Sequence, residues 1–123
     1  MNPVNWFEIP VTDLDRAENF YKTILGIEGF QKNEMGPSTL LFFPGESQGA
    51  GAMGALVKGP GAEPSDTGSL VYLFAGDDLN PALERVEANG GRVVLPKTSI
   101  GEWGFIAHFI DCEGNKVALH SMG

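Results

Sequence analysis

The chain of 123 residues has one cysteine, Cys112, so no disulfide can form within it, and cysteine usage of this kind leans towards a reducing compartment. Basic residues are few: 8 Lys and Arg stand against 16 Asp and Glu, for a formal net charge of −8. With no basic cluster, that balance excludes a nucleic-acid partner. The acidic residues are scattered rather than gathered in a tail, so the excess serves solubility. No stretch approaches the roughly 18 consecutive apolar residues of a membrane span. The opening Met1-Asn2-Pro3-Val4-Asn5-Trp6 has neither the basic start nor the apolar stretch of a signal peptide. The expectation is a cytoplasmic protein with no membrane partner.

What is present is an ordinary globular composition, 42% hydrophobic and 20% charged, at a length that suits one domain. The 17 glycines and 8 prolines make up about a fifth of the chain, against a usual share of about 12%. Many turns, and therefore many short strands, are expected.

Asn5 to Val11 alternates, with Phe7, Ile9 and Val11 on one face and Trp6, Glu8 and Pro10 on the other. Pro10 places this strand at a sheet edge or a strand end. A helix follows, capped by Thr12 or Asp13, with Asp15 completing a weak capping box. Leu14, Ala17, Phe20, Tyr21, Ile24 and Leu25 form its apolar stripe, and Gly26 suits a left-handed stop. Strands are predicted at Gly29–Lys32, Ser38–Phe43 and Met53–Lys58, with Pro44-Gly45 and Gly49-Ala50-Gly51 between the last two. The stretch from Gly59 to Gly68 reads as a linker. Then the pattern restarts: a strand at Leu70–Ala75, a helix capped by Asp78 or Asn80 with Pro81 in its first turn, a stop at Asn89-Gly90-Gly91, and strands at Arg92–Leu95, Gly104–Ile110 and Asn115–His120.

The halves superpose with an offset of 65: Asp13 on Asp78, Leu14 on Leu79, Ala17 on Ala82 and Gly26 on Gly91. Each reads strand, helix, strand, strand, strand. The expected fold is α+β, with two βαβββ modules in tandem (module one 1–58, linker 59–68, module two 69–123). Each module is a curved mixed sheet with one helix outside it. Two such halves side by side leave a concave groove, a natural small-molecule site.

Three segments carry a family resemblance. They are Trp6-Phe7-Glu8-Ile9-Pro10-Val11 leading to Asp13-Leu14-Asp15-Arg16-Ala17, Phe20-Tyr21 and Leu25-Gly26; Leu83 through Asn89-Gly90-Gly91; and Asp111-Cys112-Glu113-Gly114-Asn115 followed by Val117-Ala118-Leu119-His120. Together they resemble the vicinal oxygen chelate superfamily, which holds glyoxalase I, extradiol dioxygenases and bleomycin-resistance proteins. The resemblance implies the fold and does not choose a reaction, because the fold hosts several. It also implies a homodimer, whose groove is in some relatives built from two chains. Metal enzymes of the family place a His on each module's first strand and a Glu on each module's last. Mapped here, those positions are Trp6, Val71, the neighbourhood of Gly54, and Ala118. None can ligate a divalent ion, so no metal or other cofactor is expected. Cys112 stands where the family's turn usually has proline.

Alternation places Trp6, Glu8 and Pro10 of the first strand, and Ala118 and His120 of the last, on the groove side. Val71, Leu73 and Ala75 are mapped to the same side. A carboxylate and an imidazole among apolar residues need a partner or a ligand. Glu8 and His120 are therefore the candidate ligand anchors or acid–base pair, which the residues leave open against mutual satisfaction in a structural groove or metal ligation by this displaced pair. Trp6, Leu73, Trp103 and Ala118 are candidate ligand contacts, Trp103 from a loop between Gly101 and Gly104. His108 reads as an edge or rim histidine whose facing is open, and Cys112 lacks a base to activate it. The Gly45 to Gly54 run lacks the lysine and spacing of a phosphate loop. Two classes of function follow: a metal-free binder of a small, partly apolar molecule, or an enzyme. The enzyme would be a divalent-metal lyase, isomerase or dioxygenase with displaced ligands, or a metal-free acid–base catalyst using Glu8 and His120. Glyoxalase chemistry on a glutathione adduct is disfavoured, since no basic pair is evident for the carboxylates.

Overall fold

The computed structural model describes residues 3–45 and 51–123. The readings placed on Met1-Asn2, and on the part of the Gly45–Gly54 run from 46 to 50, lie outside the described residues. The chain runs β1 (Trp6–Pro10), α1 (Leu14–Leu25), β2 (Gln31–Met35), β3 (Ser38–Phe42), β4 (Met53–Lys58), β5 (Tyr72–Phe74), α2 (Asn80–Glu84), β6 (Arg92–Ser99), β7 (Phe105–Ile110) and β8 (Lys116–Ser121). Two four-stranded sheets result, ordered β1-β4-β3-β2 and β5-β8-β7-β6. In each, the first strand pairs parallel with the last and the remaining pairs are antiparallel. This is the expected α+β repeat, and Pro10 ends a strand that is indeed a sheet edge.

Local chemistry sets the helices. Asp13, in extended conformation, accepts the amide of Arg16 at 3.1 Å and caps α1. Ala17, Phe20, Tyr21 and Ile24 form its buried stripe, and Gly26 closes it at φ 66°. Among the described residues Asp15 takes no part in the cap. The second helix is shorter. Its apolar stripe of Leu79, Ala82, Leu83 and Val86 is buried, yet α-helical bonding stops at Glu84 and a 3-10 turn, Glu87–Asn89, completes the segment. β6 runs to Ser99 through Pro96, beyond the expected Leu95; it is an edge strand with register shifts, where a proline is tolerated.

The core joins the modules. α1 packs between the two sheets: the Tyr21 ring lies 5.8 Å from Phe43 after β3 and 6.5 Å from Phe109 on β7, and its hydroxyl donates to Asp111 Oδ2 at 2.6 Å. Each aromatic buried in this way contributes roughly 1.5–3 kcal/mol relative to exposure. Ile9, Leu41 and Leu56 of the first sheet share one cluster with Leu73, Ala107, Phe109, Val117 and Leu119 of the second.

The Asp111–Asn115 turn is the clasp between the modules. Asp111 Oδ1 accepts the amides of Glu113 and Asn115 at 2.8 and 2.9 Å. Asn115 Nδ2 donates to the carbonyl of Pro10 at 2.7 Å. Glu113 accepts from both amides at the start of α1, Thr12 and Asp13, from the Thr12 hydroxyl at 2.8 Å and from the Arg16 guanidinium, with Nε at 2.8 Å.

Because both sheets turn one face to a common core, their other faces point away from it and from each other. β5 settles which residues those are. Tyr72 pairs with Ala118, Leu73 with Leu119 and Phe74 with His120. Paired residues on neighbouring strands share a face. Leu73, 6% exposed, therefore points inward, and Val71 and Ala75 pack against the same core. The assignment of Leu73, Val71 and Ala75 to the groove side is overturned. The halves differ by one residue between strand and helix, so that in facing Trp6 corresponds to Tyr72 rather than to Val71. A one-residue slip in a strand reverses every side chain. Gly54 also points inward, against Phe7; the outward residue beside Glu8 is Ala55.

Candidate functional site

The outer face of the second sheet carries Tyr72 and Phe74 from β5, Ala118 and His120 from β8, and Ile106 and His108 from β7, joined through the cross-strand pairs His108–Ala118 and Ile106–His120. The Tyr72 hydroxyl and His108 Nε2 are 3.1 Å apart, with the rings 5.8 Å apart and edge to face. They flank Ala118 on its two neighbouring strands, which explains why an alanine on an open face is fully buried. Burial, and then the positive charge of Lys116, holds the His108 imidazole below the ordinary histidine range. His108 is thus not a rim residue: β7 is an interior strand.

His120 Nε2 lies 2.7 Å from the carbonyl oxygen of Trp103. A carbonyl only accepts, so Nε2 carries a hydrogen and donates. This contact ties the 3-10 turn Gly101–Trp103 to the outer face through Trp103's backbone, while Trp103 itself is 70% exposed. Phe74 is 75% exposed and Tyr72 45%. The face is an exposed aromatic surface around two histidines.

The outer face of the first sheet carries Trp6, Glu8 and Pro10 beside Met53, Ala55 and Val57. Trp6, 40% exposed, stands edge to face with Phe42 at 5.4 Å and donates from Nε1 to Glu8 Oε2 at 3.2 Å. Ala62 of the linker packs with Leu40, Ala55 and Val57 over part of this face. Glu8 and His120 consequently lie on the outer faces of different sheets. Their hydrogen bonds go to Trp6 and to Trp103 rather than to each other. A single chain does not assemble them as an acid–base pair, nor close one hollow around Trp6, Ala118 and Trp103 together.

On these faces Trp6, Ala55, Tyr72 and Ala118 occupy the outward positions of the first and last strand of each module. They offer no carboxylate or imidazole, and a divalent ion wants several such donors around an open position. The donor set does not fit the metal of the family's enzymes. Among the described residues no three His, Cys, Asp or Glu side chains gather in one place. The Cys112 thiol is pushed up to about 12 by burial and by the charges of Asp111 and Glu113, which leaves almost no thiolate near neutral pH.

A cleft lies on the other side of the sheets. It measures about 940 Å³, sits between β5, the end of α1 and the start of β4, and is walled by apolar side chains including Phe7, Leu25, Phe43 and Pro81. Of the candidate residues only Leu73 lines it, from the inward side of β5. Tyr72, Phe74 and this cleft were not singled out from sequence. In Leu70–Ala75 both alternating faces are apolar, so periodicity cannot say which one is covered.

Comparison with known proteins agrees with this architecture. The family model described as Glyoxalase/Bleomycin resistance protein/Dioxygenase superfamily matches residues 4–119. The protein named "Putative glyoxylase CFP32" of Mycobacterium bovis is 25% identical over 115 residues, 94% of this chain and 44% of its own length. The chain therefore spans less than half of the curated relatives it matches. Among solved structures, TnmS3, an antibiotic binding protein from Streptomyces sp. CB03234, is 26% identical with a TM-score of 0.65, covering 100% of this chain and 98% of that one. A glyoxalase/bleomycin resistance protein from Albidiferax ferrireducens superposes with a TM-score of 0.70 at 18% identity, covering 99% of this chain and 100% of the other.

Proposed function

Because the chain belongs to the glyoxalase/bleomycin resistance protein/dioxygenase superfamily, we propose that it binds a small, partly apolar molecule on its outer sheet faces, without a divalent metal. The observation that carries this reading is the exposed aromatic surface of Tyr72, Phe74 and Trp103 around His108 and His120, with Ala118 where a ligating residue would stand. Flat apolar rings with a few placed hydrogen-bonding groups are what recognition of an aromatic small molecule needs. The likeness to an antibiotic binding protein along its whole length supports the same class.

The two outer faces point apart within a chain, so each is half of a groove. The outer face of module two meets that of module one from a second copy, which brings Trp6 and Glu8 opposite Tyr72, Phe74 and His120. This arrangement also covers the exposed rings, which are a liability in a lone chain. Glu8 and the remaining ring nitrogen of His120, Nδ1, which accepts while Nε2 donates to Trp103, then anchor hydrogen-bond donors at the polar end of the ligand.

A thermal-shift screen of aromatic antibiotics, run with and without EDTA, tests the reading. Compounds that raise the melting temperature of the wild type should do so equally in EDTA and lose most of their effect with Ala118→Trp and His120→Ala. Stabilisation that EDTA abolishes, or that both variants retain in full, refutes it.

A further inference from the structure

We propose a second binding site, in the cleft between the modules, for an apolar molecule bearing a single carboxylate. The cleft of about 940 Å³ lies near the top of the range of about 300–1,000 Å³ typical of small-molecule pockets. It faces the inward side of β5, opposite the surface that holds His120, while Tyr72 and Phe74 border both surfaces. Among the described residues its wall carries no Asp, Glu or Lys, and Arg85 is the one charged residue there. In a chain with 16 acidic and 8 basic residues, a lone cation on an apolar wall sets the sign of the ligand.

The geometry of Arg85 suits that role. Its Nη1 donates to the carbonyl of Ile24 at 3.3 Å, in the last turn of α1, and a Cβ at Gly26 would lie 3.6 Å from the same nitrogen. One edge of the guanidinium is thus held against the end of α1. Among the described residues no carboxylate lies within ion-pair distance of it. The remaining N–H donors can take a carboxylate bidentately. One cation balances one negative charge, which favours a monocarboxylate with an apolar body over a phosphate dianion. Leu25, Ile27, Phe43 and Leu73 supply the surface for that body.

Isothermal titration with dodecanoate and with dodecan-1-ol, both below the concentration at which they form micelles, tests the site. Dodecanoate should bind at least tenfold more tightly than the alcohol. Arg85→Met should erase that preference while leaving alcohol binding unchanged. Ala75→Phe, which fills the cleft, should weaken both ligands tenfold or more, and Pro81→Trp on the cleft's rim does the same should the first variant fail to fold. Trp103→Ala on the outer face, an exposed residue that does not line the cleft, should change neither. No binding of dodecanoate, a preference that survives Arg85→Met, or a loss seen with Trp103→Ala but not with the cleft-filling variants would overturn the proposal.

Discussion

The Tyr72 hydroxyl meets His108 Nε2 at 3.1 Å across the β8 strand, over the buried methyl of Ala118. This contact fixes the centre of the outer face of module two. Burial first, and Lys116 second, lower the His108 pKa, so the imidazole stays neutral under conditions where an exposed histidine begins to charge. A group whose folded pKa is lowered adds stability that is complete above its unfolded value, about 6.5 for histidine, and that is lost as pH falls through the folded one. Titration of the His108 ring protons by NMR should give a midpoint below that ordinary value, and Lys116→Gln should move it upward. A midpoint at or above the ordinary value would contradict the packing described.

Glu113 joins the start of α1 to the turn between β7 and β8. Burial raises its pKa, but the hydrogen bonds from the amides of Thr12 and Asp13, the Thr12 hydroxyl and Arg16 together outweigh it, and the net shift is downward. The stability this carboxylate adds is present above its unfolded pKa, about 4.3, and is lost as pH falls through its lower folded value. Glu113→Gln keeps the shape and removes the charge. It should cost about 1–3 kcal/mol at neutral pH, measured by urea unfolding, and the difference from wild type should shrink below about pH 4. An unchanged midpoint at pH 7 would remove the clasp from the account.

Gly54 is on β4 because β1 lays Phe7 across it. A Cβ there would fall 2.4 Å from the Phe7 ring. Gly54→Ala should destabilise by about 1–3 kcal/mol through overpacking, and Gly54→Ala combined with Phe7→Leu should recover part of the loss. Additive effects of the two changes would show that the residues do not meet.

Cys112 should react slowly. With its pKa pushed up to about 12, modification by a thiol reagent at pH 8 should run at least tenfold slower in the folded protein than in urea. Equal rates would mean that the turn does not shield it.

The fold was legible because turn residues and apolar stripes agreed along the chain. Gly26, Asp13 and Pro10 act as their chemistry requires, and Met53–Lys58 is a strand over the predicted span. The outer face was half legible. Trp6, Glu8, Ala118 and His120 follow from alternation once one inward neighbour is known. Leu73 failed because Leu70, Tyr72 and Phe74 are as apolar as Val71, Leu73 and Ala75, and an offset that fits the helices is one residue wrong for the strand. Tyr72 escaped for the same reason. The cleft was beyond sequence reasoning, since it depends on how far α1 stands from β5, a property of packing between modules rather than of any segment.

The central claim is that one binding groove takes an outer face from each of two chains. The direct test is subunit complementation between Trp6→Ala, which damages only the face of module one, and Ala118→Trp, which damages only that of module two. Each variant alone should fail to bind an antibiotic that stabilises the wild type. After unfolding and refolding as an equal mixture, half of the dimers are mixed and each mixed dimer regains one intact groove, so binding capacity should return to about a quarter of the wild-type value. A mixture that binds no more than its components would contradict the shared groove.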